Sequence, residues 1–122
     1  SVNLGATTIW ERWNSFTREN GFGGNNSMNS FNHYAYGSVA EWVFCEAAGI
    51  NITTDGITIE PHPDARLGHL NAEYDSRFGT IKSNWNYDGD TIIYNIEIPC
   101  KAFISVGDTK KYCEKGKYTF TV

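Results

Sequence analysis

One carboxylate near the start of the chain is flanked by large aromatic rings. Glu11 lies between Trp10 and Trp13, and His33 follows in a run of small polar and aromatic residues. Flat apolar rings beside a few directional polar groups are typical of a pocket for a sugar ring. A carboxylate and an imidazole can add proton transfer to such a pocket. These residues therefore predict a carbohydrate site with acid–base chemistry.

The same residues also fit a structural interpretation. Glu11 would then lie exposed on an amphipathic helix while both tryptophans fill a core, and His33 would be a satisfied polar group near a helix start. Catalytic carboxylates are rare among all carboxylates, so composition alone favours this alternative. In the catalytic interpretation Glu11 is a general base that activates water, and Arg12 helps to keep it ionised.

Length and charge exclude several classes of function. The chain has 122 residues, about one domain's worth, with 40% hydrophobic residues and a net charge of -4. It has no Lys/Arg cluster and no apolar run of about 18 residues, so neither a nucleic-acid partner nor a membrane is expected. His62 and His69 lack a second ligand at metal spacing, so we predict neither a metal nor a cofactor.

The cysteines bear on the cellular compartment. Cys45, Cys100 and Cys113 are odd in number and have neither zinc-site spacing nor the spacing of a disulfide framework. Reduced thiols predict a cytoplasmic protein, although pairing of Cys100 with Cys113 stays open. The chain opens without methionine or signal peptide, close to a dense motif, so we expect a piece of a longer protein.

The first half of the chain is predicted to be helical. Residues 8–16 fit a short helix, and residues 20–27 form a loop rich in glycine and asparagine. An apolar stripe predicts a longer helix that begins near Ser30. Ser38 and Glu41 have capping-box spacing, and Gly49 is placed to end the helix in a left-handed conformation.

From about residue 51 the apolar period changes from helical to alternating. Asp88-Gly89 predicts a tight hairpin turn between two long strands. Strands are predicted at 56–60, 70–74, 81–87, 92–98, 102–106 and 117–122. The pattern predicts a mainly β chain, with an antiparallel β-sandwich preceded by a helical segment.

Two motifs resemble the bacterial α-L-rhamnosidases, a family of inverting glycoside hydrolases. The similarity is close across residues 5–13, which contain Trp10-Glu11-Arg12-Trp13, and across residues 27–50. It is looser beyond Ile50, at residues 58–63, at 79–85 and at the Ile98-Pro99 turn.

The resemblance implies a fold and roles for individual residues. Residues 1–49 would be the last helices of a catalytic (α/α)6 barrel, and residues 50–122 its C-terminal β-sandwich. Glu11 falls on the family's proposed general base and His33 on a histidine that contacts rhamnose. Trp10 and Trp13 fall on the walls of the motif. The family pattern leads us to expect an aspartate where this chain has Asn14, which puts a local hydrogen bond in doubt.

The resemblance also implies partners. An inverting glycosidase needs a general acid and a general base. The family's acid lies in earlier barrel helices, so we expect this chain to be inactive alone, with a rhamnose-containing glycoside as substrate and the rest of the barrel as partner. The apolar side of the helix is expected to pack on its own sandwich or against a second copy, which would make a homodimer.

Two other functions fit the second half of the chain. It could be a stand-alone carbohydrate-binding β-sandwich, with Trp85 and Tyr87 as the stacking platform. It could equally be a structural domain that covers one side of the barrel.

Overall fold

The computed structural model describes residues 1–22, 27 and 29–122. The chain forms two compact units, Ser1–Ala40 and Glu41–Val122. Residues 23–26 of the predicted glycine-rich loop lie outside the described residues, as does Met28.

The first unit is largely irregular. It contains a 3-10 helix at Val2–Leu4 and a small antiparallel hairpin of β1 (Phe16–Thr17) and β2 (Gly21–Phe22). The predicted helix at 8–16 is wrong. The backbone of this segment bonds to a distant one instead: the Glu11 N–H donates to the Ser30 carbonyl at 2.8 Å. An α-helix would direct that N–H to residue 7.

Aromatic side chains pack edge to face inside this unit. The ring centroids of Trp10 and Phe31 lie 5.1 Å apart, those of Phe22 and Phe31 5.4 Å, and those of Phe16 and Phe22 5.2 Å. This geometry places the positive ring edge against the negative ring face, which favours contact. The cluster thereby links the segment that carries Trp10 to the β1–β2 hairpin.

The predicted long helix is shorter and less regular than expected. It consists of a 3-10 helix at Tyr34–Ser38, α1 at Val39–Trp42 and a π-helix at Val43–Ala47. Ser38 does not cap it, because its hydroxyl donates to the Ala35 carbonyl at 2.9 Å.

Gly49 follows the helical run and has a φ of 68°, the left-handed conformation predicted for it. A Cβ at this position would lie 2.0 Å from the carbonyl carbon of Glu60. Glycine is therefore required both by the positive φ and by the lack of space for a side chain.

The second unit contains a sandwich of two four-stranded sheets. One sheet has the order β10-β7-β6-β5 and the other the order β3-β4-β8-β9. The strands are β3 (Ile50–Thr53), β4 (Gly56–Ile59), β5 (His69–Ser76), β6 (Gly79–Asp88), β7 (Thr91–Ile98), β8 (Ala102–Val106), β9 (Thr109–Cys113) and β10 (Gly116–Thr121).

The sandwich confirms the mainly β class and the six predicted strands to within one or two residues at most ends. β3 and β9 were not predicted. The expectation of a purely antiparallel sandwich needs one correction, since β4 and β8 pair in parallel. The tight hairpin is present: Asp88 pairs with Thr91, and Gly89 takes a φ of 62°.

The sandwich core also holds the end of the helical run. Isoleucines from both sheets surround Trp85, whose side chain is 1% exposed. The Trp85 indole donates to the Ala47 carbonyl at 2.8 Å, and the Ser83 hydroxyl donates to the Ala48 carbonyl at 2.6 Å. Residues 43–48 therefore pack on their own sandwich, as expected. The homodimer stays a prediction.

Cys45, Cys100 and Cys113 are all free thiols, so Cys100 and Cys113 do not pair. No helix within the described part of the chain is both long and apolar enough to span a bilayer.

Candidate functional site

The candidate site is built from two segments of the first unit that run beside each other. The Glu11 N–H donates to the Ser30 carbonyl at 2.8 Å, and the His33 N–H donates to the Ile9 carbonyl, also at 2.8 Å. The Thr8 hydroxyl donates to the Phe31 carbonyl as well. These bonds bring Glu11 and His33, distant in sequence, to one place.

The carboxylate of Glu11 is held by neighbours on the second segment. The Ser30 N–H donates to its Oε2 atom at 2.7 Å, a charge-assisted hydrogen bond. The same oxygen lies 3.8 Å from Nδ1 of His33. The side chains of Glu11 and His33 are 20% and 31% exposed, so the pair lies partly shielded from solvent.

The electrostatic role expected for Arg12 at this carboxylate stays a prediction. Among the described side-chain contacts of Glu11, Nδ1 of His33 lies 3.8 Å from Oε2. The backbone of Arg12 closes a local turn, where its carbonyl accepts the Ser15 hydroxyl at 2.9 Å.

A third side chain contacts both members of the pair. Tyr36 lies three residues after His33, in the 3-10 helix Tyr34–Ser38. Its ring centroid lies 5.0 Å from that of His33, and its hydroxyl donates to the Glu11 carbonyl at 3.1 Å. Because a 3-10 helix aligns residues i and i+3, the turn itself brings Tyr36 beside His33.

An open cleft of about 450 Å³ borders the carboxylate, which is enough room for a small ligand. Trp10, Glu11, Trp13 and Tyr36 are among its lining residues, together with Ser1, Val2, Thr8, Ile9 and Arg12. The cleft therefore combines apolar rings with one carboxylate, the composition that the sequence predicted for a sugar site.

The two tryptophans have different environments. Trp13 is 88% exposed, so the interpretation in which both tryptophans fill a core is wrong for Trp13. Trp10 is half-buried and packs on Phe31. An exposed ring at a cleft is free to stack on a ligand.

His33 and Trp85 both lie outside the lining of this cleft. His33 is not among the residues that line the cleft; it lies against Glu11 and Tyr36. Trp85 is buried and bonded to the Ala47 carbonyl, so it cannot be the predicted stacking platform, and the Tyr87 ring packs against the same core.

Sequence reasoning missed Ser30 and Tyr36. Ser30 acts through its backbone N–H, which every residue type other than proline provides, so no sequence signal could have identified it. For Tyr36 a signal existed, because it lies three residues from His33 in a run that was already assigned as helical.

Shifted pKa values occur in the sandwich unit, among them those of Asp64 and Tyr94. In the exposed turn before β5, hydrogen bonds from Arg66 lower the pKa of Asp64 from 3.8 to about 2. Burial raises the pKa of Tyr94. Within the described residues, no group of three or more His, Cys, Asp or Glu side chains could hold a metal ion.

Comparison with known proteins identifies the class of protein. Residues 50–120 match the family model described as the bacterial alpha-L-rhamnosidase C-terminal domain. Residues 1–47 match the model described as the bacterial alpha-L-rhamnosidase six-hairpin glycosidase domain. The chain therefore belongs to the bacterial α-L-rhamnosidase family.

Individual relatives agree with this assignment. The chain is 40% identical over 102 residues to an alpha-L-rhamnosidase of Formosa agariphila and 36% identical over 101 residues to one of Streptomyces avermitilis. These alignments cover 81% and 80% of this chain but 11% and 10% of the relatives, so the chain spans about a tenth of their length.

Two solved structures are also similar. The crystal structure of Streptomyces avermitilis alpha-L-rhamnosidase complexed with L-rhamnose has a TM-score of 0.81 at 27% identity, over 99% of this chain and 14% of that one. The alpha-L-rhamnosidase from Dictyoglumus thermophilum has a TM-score of 0.76 at 25% identity, over 98% of this chain and 16% of that one.

Proposed function

We propose that this chain is the C-terminal part of an enzyme that hydrolyses terminal α-L-rhamnosides with inversion. Glu11 is its general base, and it removes a proton from the water that attacks the anomeric carbon. His33, Trp10 and Trp13 bind the sugar. Residues 1–49 belong to the catalytic barrel, and residues 50–122 form the accessory sandwich.

The observation that carries this proposal is the environment of the Glu11 carboxylate. One oxygen accepts the Ser30 N–H at 2.7 Å and lies 3.8 Å from His33, while the side chain borders a cleft that also contains Trp10 and Trp13. A general base must be ionised and held in place beside the substrate. The Ser30 N–H and the nearby imidazole hold the carboxylate in place beside the cleft.

The chain supplies half of the required acid–base pair. An inverting glycosidase holds its two carboxyl groups about 6.5–9.5 Å apart, so that a water fits between the base and the sugar. Before residue 41 the sequence contains two carboxylic side chains, Glu11 and Glu19, and Glu19 is exposed. We assign the general acid to the upstream part of the enzyme, so the isolated chain is inactive.

For the sandwich, a structural role is better supported than sugar binding. Its most buried aromatic side chain, Trp85, and the buried Ser83 both bond to carbonyls at the end of the helical run. Those bonds satisfy backbone groups that a helix end leaves unpaired. Removal of residues 50–122 from the intact enzyme should therefore abolish soluble expression, whereas a dispensable sugar-binding module would leave it intact.

The test of the catalytic proposal is hydrolysis of an aryl α-L-rhamnoside by the intact enzyme with Glu11→Gln. We expect a loss in kcat of about 100-fold or more with the fold unchanged. Glu19→Gln is the matched control, because it makes the same chemical change at an exposed side chain, and it should retain full activity. Near-normal turnover by Glu11→Gln would show that this carboxylate is structural.

A further inference from the structure

The Tyr36 side chain joins the two segments that form the candidate site. Its hydroxyl donates to the carbonyl of Glu11 at 3.1 Å, and its ring lies 5.0 Å from the His33 ring at an angle of 52°. No other side chain in the described part of the chain makes a hydrogen bond or ring contact to both Glu11 and His33. The Ser30 N–H contacts the carboxylate and the Tyr34 ring stacks on the imidazole, whereas Tyr36 contacts both residues.

The backbone bonds alone leave this geometry incomplete. The Glu11–Ser30 bonds fix the main chain of Glu11 and one carboxylate oxygen. The His33 N–H bond to the Ile9 carbonyl fixes its main chain but leaves its ring free to rotate about χ1 and χ2. The Tyr36 ring covers one side of the imidazole, and its hydroxyl anchors that ring to the residue that carries the carboxylate.

We infer that Tyr36 is a positioning residue for the Glu11–His33 pair, an inference that rests on the proposed function. The hydroxyl holds the Glu11 backbone, and the ring holds the imidazole near the carboxylate. Since the reacting groups of an enzyme must be placed to within a fraction of an ångström, loss of the hydroxyl slows the chemical step more than it weakens substrate binding.

The test compares Tyr36→Phe with Tyr34→Phe in the intact enzyme, using an aryl α-L-rhamnoside. Both variants remove one hydroxyl and keep the ring. Tyr34 is 90% exposed, and its hydroxyl has no hydrogen bond among the described residues, so it is a matched control. We expect Tyr36→Phe to lower kcat by about 10- to 100-fold with KM within about twofold, while Tyr34→Phe leaves both unchanged.

Other outcomes each overturn the inference. A raised KM with unchanged kcat would assign the hydroxyl to sugar binding rather than to positioning. Unchanged kcat and KM would leave Tyr36 without a role. A loss of kcat that only follows the folded fraction, measured by circular dichroism on the same sample, would make its role structural. Should Tyr36→Phe fail to fold, that also counts as a structural role.

Parallel assays of Glu11→Gln separate this inference from the proposed function. If Glu11→Gln is inactive and Tyr36→Phe is fully active, the inference about Tyr36 alone fails. If Glu11→Gln retains activity, the proposed base is wrong and the inference falls with it.

Discussion

At the scale of single residues, the site depends on partners that are distant in sequence. Glu11 and His33 were identified because their side chains can transfer protons and lie in recognisable motifs. Their contact, 3.8 Å between Oε2 and Nδ1, arises from backbone bonds between residues 9–11 and 30–33. Side-chain chemistry is encoded locally, whereas this pairing depends on the fold, so the sequence alone could not identify it.

A residue-scale prediction concerns Asp64. Arg66 donates to both of its carboxylate oxygens, with Nε at 3.0 and 3.1 Å, and the pKa of Asp64 is lowered to about 2. Because the pKa is lowered, Asp64 stays ionised and paired as the pH falls through its ordinary value of 3.8, and the pair breaks as the pH falls through about 2. Arg66→Gln should return the Asp64 midpoint toward 3.8 in a carbon-detected NMR titration.

An Asp64 midpoint that stays near 2 without Arg66 would assign the shift to another cause. Because Arg66 is 90% exposed, its substitution should leave the melting temperature of the chain unchanged.

At the scale of elements, the helical run is attached to the sandwich by two buried side chains of β6. Ser83 is fully buried and donates to the Ala48 carbonyl at 2.6 Å. Ser83→Ala leaves that carbonyl buried without its partner, so the free energy of unfolding should fall by about 1–3 kcal/mol. Urea denaturation followed by circular dichroism measures the change.

The control for Ser83→Ala is Thr121→Ala, which removes a hydroxyl from an exposed position of β10 and should cost within about 0.5 kcal/mol. Equal effects of the two substitutions would show that the bond to Ala48 contributes nothing to stability.

A second element-scale prediction concerns the Glu60 backbone, which lies close to Gly49. Gly49 and Gly89 have similar φ values, 68° and 62°. A Cβ at Gly49 would meet the Glu60 backbone at 2.0 Å, whereas a Cβ at Gly89 would have nothing within 4 Å. Gly89→Ala should therefore lower the free energy of unfolding by about 1–2 kcal/mol, the cost of the left-handed conformation alone.

Gly49→Ala should cost at least about 2 kcal/mol more than Gly89→Ala, because backbone must move to admit the methyl group. Urea denaturation of the two variants side by side gives this difference. If Gly49→Ala and Gly89→Ala lose the same stability, the Glu60 backbone can shift to admit the methyl group at no energetic cost.

The secondary-structure elements differ in how well the sequence predicted them. The alternation around Trp85 and the Asp88-Gly89 turn are local signals, and they identified β6, β7 and the hairpin between them. β9 was missed because its residues, such as Lys110 and Lys111, are polar and mostly exposed at a sheet edge. The helix at 8–16 was wrong because periodicity carries no information about pairing with residues 30–33.

At the scale of the whole molecule, the proposed function gives this chain a base without its acid. The purified 122-residue chain should release no more phenol from an aryl α-L-rhamnoside than its own Glu11→Gln variant does. The intact enzyme, assayed under the same conditions, is the positive control. Measurable hydrolysis by the chain that disappears with Glu11→Gln would mean that a second carboxylate of this chain serves as the acid.

The family assignment rests on the whole chain rather than on the site. The two family models match consecutive parts, residues 1–47 and 50–120, and the solved structures align over 98–99% of the chain. Because the alignments cover about a tenth of the relatives' length, the proposed activity needs parts beyond this chain, which would supply the acid and the other side of the sugar pocket.

The most direct test of the central claim is chemical rescue of the intact enzyme with Glu11→Ala. Azide needs no base to attack the anomeric carbon, so it should restore cleavage of a nitrophenyl α-L-rhamnoside and yield the β-L-rhamnosyl azide. That product, identified by NMR, would place Glu11 on the β face of the sugar, and release of β-L-rhamnose as the first product of the unaltered enzyme would establish inversion. Rapid hydrolysis by Glu11→Ala without azide, or no azide product from a folded variant, would contradict the assignment of Glu11.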